Sequence, residues 1–452
     1  MALPFCAADD GRYSGHVGIR VVILCVGLAS AGWPQQQPED PLQVLIQLRH
    51  RVADRISSIP RYLCTEVVER QTRSLAPIVP KMASCTEFLM AIQKPKKKPP
   101  LLFTDRLRMD VTVLDNEEAY SWVGEDSFGD QSLRELVKTG LTATGSFSAF
   151  LHGIFASDAG TFSFLGEEQA NGRRVLKYGF RVALPNSGYT VSNSAVTRTV
   201  GFSGTFSADA QTLDLLKLEV QLNDIPPELN ICDAVTTLVY NTLRINSVDF
   251  LLPAEVTTSV LNRRGVVATN RTVFSSCHQF MGESKLSFDD QPATNDAQAG
   301  VAEALALPTG VTVYAALNEK IDPASSAAGD PITGRLTRPL SIPGSAIDIP
   351  QGAVLHGHVC QLLLRYGFTR SLQLGLRWEN VEFGGTRYPL QLALDEIVPG
   401  TAKTDKVYVK DDQLTPPNAR DRMIGYFLFR DIDKKYQIPA GFESRWITFA
   451  AH

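Results

Sequence analysis

The sequence predicts a mainly β protein of the α+β kind: a curved antiparallel sheet or half-barrel with packing helices, followed by a small β-barrel or sandwich. Three observations predict it. Short runs that alternate apolar and polar residues, such as Leu107–Leu114, recur along the chain, and a period of two marks a half-buried strand. Gly, Pro, Asn and Asp punctuate those runs, as turns between antiparallel strands require. Helical spacing is confined to two stretches, 41–58 and 146–156.

The first element is not part of the fold. Arg20, the apolar run Val21–Leu28 and the small-x-small ending Ala29-Ser30-Ala31 read as a signal peptide over residues 1–31, because a bilayer-spanning helix needs about twenty apolar residues; a membrane anchor is the alternative. The polar stretch Gln35-Gln36-Gln37-Pro38-Glu39-Asp40 follows at once. The expected mature chain starts near Gly32 and is periplasmic or secreted.

From Pro41 to Ser58, Leu42, Val44, Leu45, Leu48, Val52 and Ile56 recur near helical spacing, and Pro60 stops the helix. Tyr62–Arg70 is extended. Lys94-Pro95-Lys96-Lys97-Lys98-Pro99-Pro100 must be a loop. Leu107–Leu114 turns at Asn116-Glu117 into Ala119–Val123, and Asn171-Gly172 closes a hairpin between Phe162–Glu168 and Arg174–Leu184. Further strands are expected at 215–221, 235–239, 250–252, 255–261 and 269–275. One insertion interrupts the pattern: Phe147, Phe150, Leu151, Ile154 and Phe155 fall at i, i+3, i+4, i+7 and i+8. Such a stripe must be buried, either as a helix packed on the sheet or as a lid over an apolar ligand cavity.

A chain of 452 residues is too long for one core. The Gln, Asn, Ala and Gly content of 289–307 marks a linker between an N-terminal domain, 32–288, and a C-terminal domain, 308–452. In the latter, Ile332–Leu336, Ala353–Leu364, Ser371–Trp378, Tyr388–Leu394 and Arg445–Phe449 read as short strands. Ile349-Pro350-Gln351-Gly352 and Ile438-Pro439-Ala440-Gly441 repeat one turn device, with Pro fixing φ and Gly supplying a positive φ. A formal charge of -4 and a pI near 6.0 give no global attraction to nucleic acid. Five cysteines follow the signal. Spacing suggests Cys64 with Cys85 and Cys232 with Cys277, with Cys360 left over; other pairings are open.

The order helix, Tyr62-Leu63-Cys64 strand, Asp105–Met109 strand and Glu118–Trp122 hairpin, followed by Tyr240–Ile245 and Phe250–Pro253, resembles the lipoprotein-carrier superfamily over roughly residues 40–290. The resemblance implies a non-enzymatic curved sheet around an apolar cavity, with the Phe147–Phe155 stripe in place of a cavity-facing helix. Cysteines and long insertions depart from the carriers, so lipoprotein transport itself is not carried over. Asp330–Leu336 followed by Ile349–Val359 resembles the β-barrel domain of channel-forming type IV secretion components, which implies an envelope scaffold.

Chemical signals are sparse. His356, His358 and Cys360 alternate on one strand and could supply metal ligands, but neighbours on one face splay about 7 Å apart and would need a bulge to converge; a half-exposed strand face is expected instead, and no metal or cofactor. Cys360 as a nucleophile would need a positioned base. Carboxylate pairs such as Glu66/Glu69, Glu167/Glu168 and Asp411/Asp412 read as solvated surface, and no phosphate-loop, dinucleotide, zinc-protease or nucleophile-elbow motif is present. Lys94, Lys96, Lys97 and Lys98 read first as a solvated loop; behind a signal peptide, peripheral contact with anionic lipid head groups or cell-wall polymers suits them better than nucleic acid. The reading is a non-enzymatic envelope protein binding an apolar ligand or lipidated partner through Phe147, Phe150, Leu151, Ile154 and Phe155; an envelope scaffold and an undetected hydrolase are the alternatives.

Overall fold

In the computed structural model the structure describes residues 40–57, 62–79, 83–93, 97–114, 117–125, 128, 132–145, 149–170, 172–245, 248–279, 308–341, 348–403, 407–409 and 423–448. The expected signal segment, the linker at 289–307, Phe147, Lys94, Lys96 and the pair Asp411/Asp412 lie outside them.

The N-terminal half opens with helix α1 (Pro41–Ser57), then β1 (Tyr62–Ser74), α2 (Cys85–Gln93), β2 (Leu101–Leu114), β3 (Glu117–Trp122), and the short helices α3 (Leu133–Leu136) and α4 (Ala149–Leu151). It continues with β4 (Gly160–Ala170), β5 (Arg173–Val182), the two-stranded ribbon β6 (Thr190–Ser192) and β7 (Thr197–Thr199), β8 (Gly201–Asp209), β9 (Leu215–Asn223), β10 (Ile231–Ile245), β11 (Val248–Asn262) and β12 (Val266–Gln279). Antiparallel ladders run β4-β5-β8-β9-β10-β11-β12-β1-β2-β3. Alternation sets which face each strand buries: in β1, Tyr62, Cys64, Glu66, Val68 and Arg70 point inward. On α1, Val44, Leu45, Leu48 and Val52 are buried, while Leu42 is 60% exposed and does not belong to the buried stripe.

The C-terminal half contains β13 (Thr312–Leu317), β14 (Pro331–Leu336), β15 (Leu340–Ser341), β16 (Asp348–Ile349), β17 (Val354–Tyr366), β18 (Arg370–Phe383), β19 (Thr386–Pro389), β20 (Leu392–Ile397), β21 (Val407–Val409), β22 (Gly425–Phe429) and β23 (Glu443–Thr448). Its antiparallel strands wrap an apolar core containing Trp378, Phe427, Phe429, Phe442 and Trp446. The fold is therefore mainly antiparallel β with few helices, and its large curved sheet is not closed into a barrel. The two halves meet in one ladder, where Leu363, Leu364 and Arg365 of β17 pair with Asp105, Thr104 and Phe103 of β2.

All four expected disulfide cysteines are bridged, but in a different pairing: Cys64–Cys277 and Cys85–Cys232. Register explains the first. Leu63 faces His278 and Thr65 faces Ser275 across the β1–β12 ladder, so the irregularity between them sets Cys64 beside Cys277, with Cα atoms 4.1 Å apart. The second bridge ties the start of α2 to β10. Closeness along the chain, which suggested Cys64–Cys85 and Cys232–Cys277, is no guide once distant strands become neighbours.

Candidate functional site

A cavity lies where β2, β17, β18 and the segment after α3 converge. Segment 327–330 docks on β2: Ala328 N donates to Arg106 O at 2.8 Å and Arg108 N donates to Ala328 O at 2.7 Å. Arg108 adds an ion pair to Asp330. Such close approach requires Gly329, whose φ is +97° and where a Cβ would lie 1.9 Å from the Arg108 carbonyl oxygen.

The cavity holds about 420 Å³, within the range of small-molecule sites. Leu107, Trp122, Leu136, Val137, Ile424 and Tyr426 supply its apolar wall. Glu135 and Lys138 also line it, and its two arginines are already paired. Arg70 is buried against Asp105, with Nε to Oδ1 at 2.8 Å, and its Nη1 donates to Thr139 O at 2.7 Å. Arg377 donates from Nε to Glu379 Oε1 at 2.6 Å and from Nη2 to Glu125 Oε1 at 3.2 Å.

His358 sits behind this network, its Nδ1 2.9 Å from Glu379 Oε2 and its Nε2 3.2 Å from the Val123 carbonyl oxygen. Both partners are acceptors, so satisfying both requires the doubly protonated ring. Burial opposes that charge, but the hydrogen bond and charge of Glu379, the Val123 carbonyl and Glu125 outweigh it and hold the His358 pKa above its usual value. Burial likewise raises Glu379, yet His358 and Arg377 more than compensate and its pKa is lowered. At Glu125 burial prevails over Arg377 and His358, and the pKa is raised.

Glu125, His358 and Glu379 offer ligand atoms within 4.8 Å of one another. In this arrangement Arg377 meets both carboxylates and both ring nitrogens of His358 face protein acceptors, which makes the set an ion-pair network. The His-x-His-x-Cys run does not converge: His356 Nε2 instead meets Glu382 Oε2 at 2.9 Å. Cys360 lines the cavity as a free thiol, and burial pushes its pKa up to about 12, which leaves it protonated and a poor nucleophile at neutral pH.

The apolar stripe lies elsewhere. Phe150, Leu151, Ile154 and Phe155 pack with α1 and the inner faces of β5, β8 and β9. Ring centroids are 5.0 Å apart for Phe150–Tyr189 and 4.9 Å for Phe155–Phe206. The helix is shorter than its period suggests: α4 gives way to a π turn over His152–Ala156. Arg49 of α1 holds that turn, Nη2 donating to Ser157 O at 3.0 Å and Nε to Phe155 O at 3.4 Å. None of these stripe residues lines the junction cavity.

Sequence reasoning missed Glu66. It read Glu66 and Glu69 as one solvated pair, but a spacing of three puts them on opposite faces of a strand. Glu69 is exposed and meets Arg106 at 2.9 Å, whereas Glu66 is 6% exposed. Burial, reinforced by the negative charge of Glu118, pushes the Glu66 pKa up to about 8. Glu118 itself accepts from Tyr120 Oη at 2.5 Å and Gly145 N at 2.6 Å. Glu66 and Asn270 line a second cavity of about 20 Å³, room for one water.

No protein-family model matches this chain, and no curated protein does. Among solved structures it is similar to a LolA superfamily protein from Nitrosomonas europaea, at 12% identity and a TM-score of 0.25, covering 54% of this chain and 98% of that one. A DUF1329 family protein from Desulfovibrio piger matches at 12% identity and a TM-score of 0.26, covering 56% and 98%. An outer membrane lipoprotein-sorting protein domain from Vibrio parahaemolyticus matches at 13% identity and a TM-score of 0.25, covering 53% and 94%. Superpositions this loose establish no ligand or role, and the fold described above rests on this chain's own strand pairings.

Proposed function

We propose that this chain is a non-enzymatic cell-envelope protein, periplasmic or secreted, that binds an apolar ligand or a lipidated partner. The observation that carries the reading is the junction cavity of about 420 Å³. Its Arg70 and Arg377 are already paired with Asp105, Glu379 and Glu125, so an entering molecule gains mainly by burying apolar surface against Leu107, Trp122, Leu136 and Ile424. Two disulfides support an oxidising compartment. Contact of the Lys94–Lys98 loop with a membrane belongs to the same reading, as does movement of the Phe150–Phe155 stripe to admit ligand beneath it.

Native mass spectrometry of the gently purified protein tests the binding. Retained lipid, lost when Leu136→Trp fills the cavity, is the expected result. Retained lipid that Leu136→Trp leaves in place but Arg49→Gln alters would move the site beneath the stripe. A lipid-free protein of defined oligomeric state would replace this reading with a scaffold.

A further inference from the structure

We propose that the β17–β18 hairpin tip and the loop before β2 form one docking surface for an anionic lipid bilayer. It rests on the envelope placement proposed above and not on the identity of the cavity ligand.

The hairpin closes on Tyr366 and Arg370, leaving Gly367, Phe368 and Thr369 outside the ladder. Phe368 is fully exposed, at 112% of its reference area. A single exposed ring means little by itself; its surroundings give it meaning. Because Arg365 pairs with Phe103 on β2, and the Tyr366 hydroxyl lies 3.1 Å from that of Thr104, the chain entering β2 arrives at this tip. That chain is Lys97-Lys98-Pro99-Pro100. Arg73 Nη1 donates to Pro99 O at 2.9 Å and Ser74 N to Pro100 O at 3.0 Å, so the loop is pinned at the same end of the sheet.

Lys97, Lys98 and Arg365 are exposed. Arg370 holds its guanidinium 5.3 Å from the Tyr366 ring centroid, and Arg365 bonds to the neutral amide of Gln373 at 3.3 Å. The segment after β22 also passes here, since Ile432 N donates to Arg370 O at 3.0 Å. It brings Asp431 and Asp433 but also Lys434 and Lys435, so among the described residues named here Lys97, Lys98, Arg365, Arg370, Lys434 and Lys435 outnumber the two carboxylates. An aromatic ring projecting from a cationic rim suits an interface with phosphate head groups, the ring entering the boundary between head groups and chains while the cations stay outside it.

Full-length protein is sedimented with vesicles of phosphatidylglycerol and phosphatidylcholine and with vesicles of phosphatidylcholine alone, at low and high salt. Preferential binding to the anionic vesicles, abolished by salt, is expected. Lys97→Glu with Lys98→Glu should weaken it by on the order of tenfold or more, and Phe368→Ser should weaken it without changing the melting curve, since the side chain is fully exposed. Phe368→Trp adds a fluorophore that brominated lipid chains should quench beyond the quenching of the parent protein. Equal binding to both vesicle types, anionic binding unchanged in these variants, or tighter binding to a single-stranded oligonucleotide at the same salt would each overturn the proposal. Ligand retention in mass spectrometry is a separate readout, so either proposal can fail while the other stands.

Discussion

Glu66 and Glu69 sit three residues apart on β1 and experience opposite solvents. The consequence is a pH dependence with a definite sign. The folded protein keeps the Glu66 proton to about pH 8, while the unfolded chain releases it near 4.5. A raised carboxyl pKa therefore contributes stability that declines as pH rises between those values, by at most about 1.4 kcal/mol per pH unit. Glu66→Gln should flatten the slope of denaturant midpoint against pH over that window and raise the midpoint at pH 8. An unchanged slope would mean that Glu66 ionises freely in the fold. Gly329 makes the opposite kind of prediction, steric and independent of pH. Adding a methyl group against the Arg108 carbonyl at a φ of +97° should cost about 2–4 kcal/mol, read as a lower midpoint in urea.

Elements were legible where their signal is local. Alternation marked β2, and Asn171-Gly172 marked the β4–β5 hairpin, because both depend on a few adjacent residues. The apolar stripe was legible as a buried face, yet the π turn that ends it was not, since Arg49 holds that turn from more than a hundred residues away. Cysteine pairing failed for the same reason: Cys64 and Cys277 are separated by 213 positions and Cys85 and Cys232 by 147. A non-reducing proteolytic map should recover peptides joining Cys64 to Cys277 and Cys85 to Cys232, and peptides joining Cys64 to Cys85 would reject the register of β1 on β12. Loops this long make each bridge worth about 5 kcal/mol in the chain-entropy account, so Cys64→Ala with Cys277→Ala should lower the urea midpoint substantially.

At the scale of the whole molecule, the decisive contacts join segments that no local pattern connects. His358 was singled out for its spacing to His356 and Cys360, but its partners come from the next strand and from the turn after β3. Pairing β17 with β18 could have suggested Glu379, because His358 stands opposite Arg377 in that register; nothing local suggested Val123. His358 thus bridges the two halves, and the bridge needs an imidazolium. The charged groups facing it are Glu379 and Arg377 on β18 and Glu125 beyond β3, with Cys360 on its own strand, and with Asp330 before β14 already paired to Arg108. Since the folded pKa is raised above 6.5, this contribution is complete below 6.5 and is lost as pH rises through the folded value. His358→Phe should therefore cost about 1–3 kcal/mol at pH 6, and less once the pH has risen through the raised folded value and the parent ring has lost its charge. Hydrogen exchange should localise the loss, with faster exchange in the parent at high pH, and in the variant at all pH values, around Val123–Glu125 and in β17. If the variant and the parent instead differ by the same amount below and above that folded value, the ring acts by packing alone and the halves are not joined by its charge.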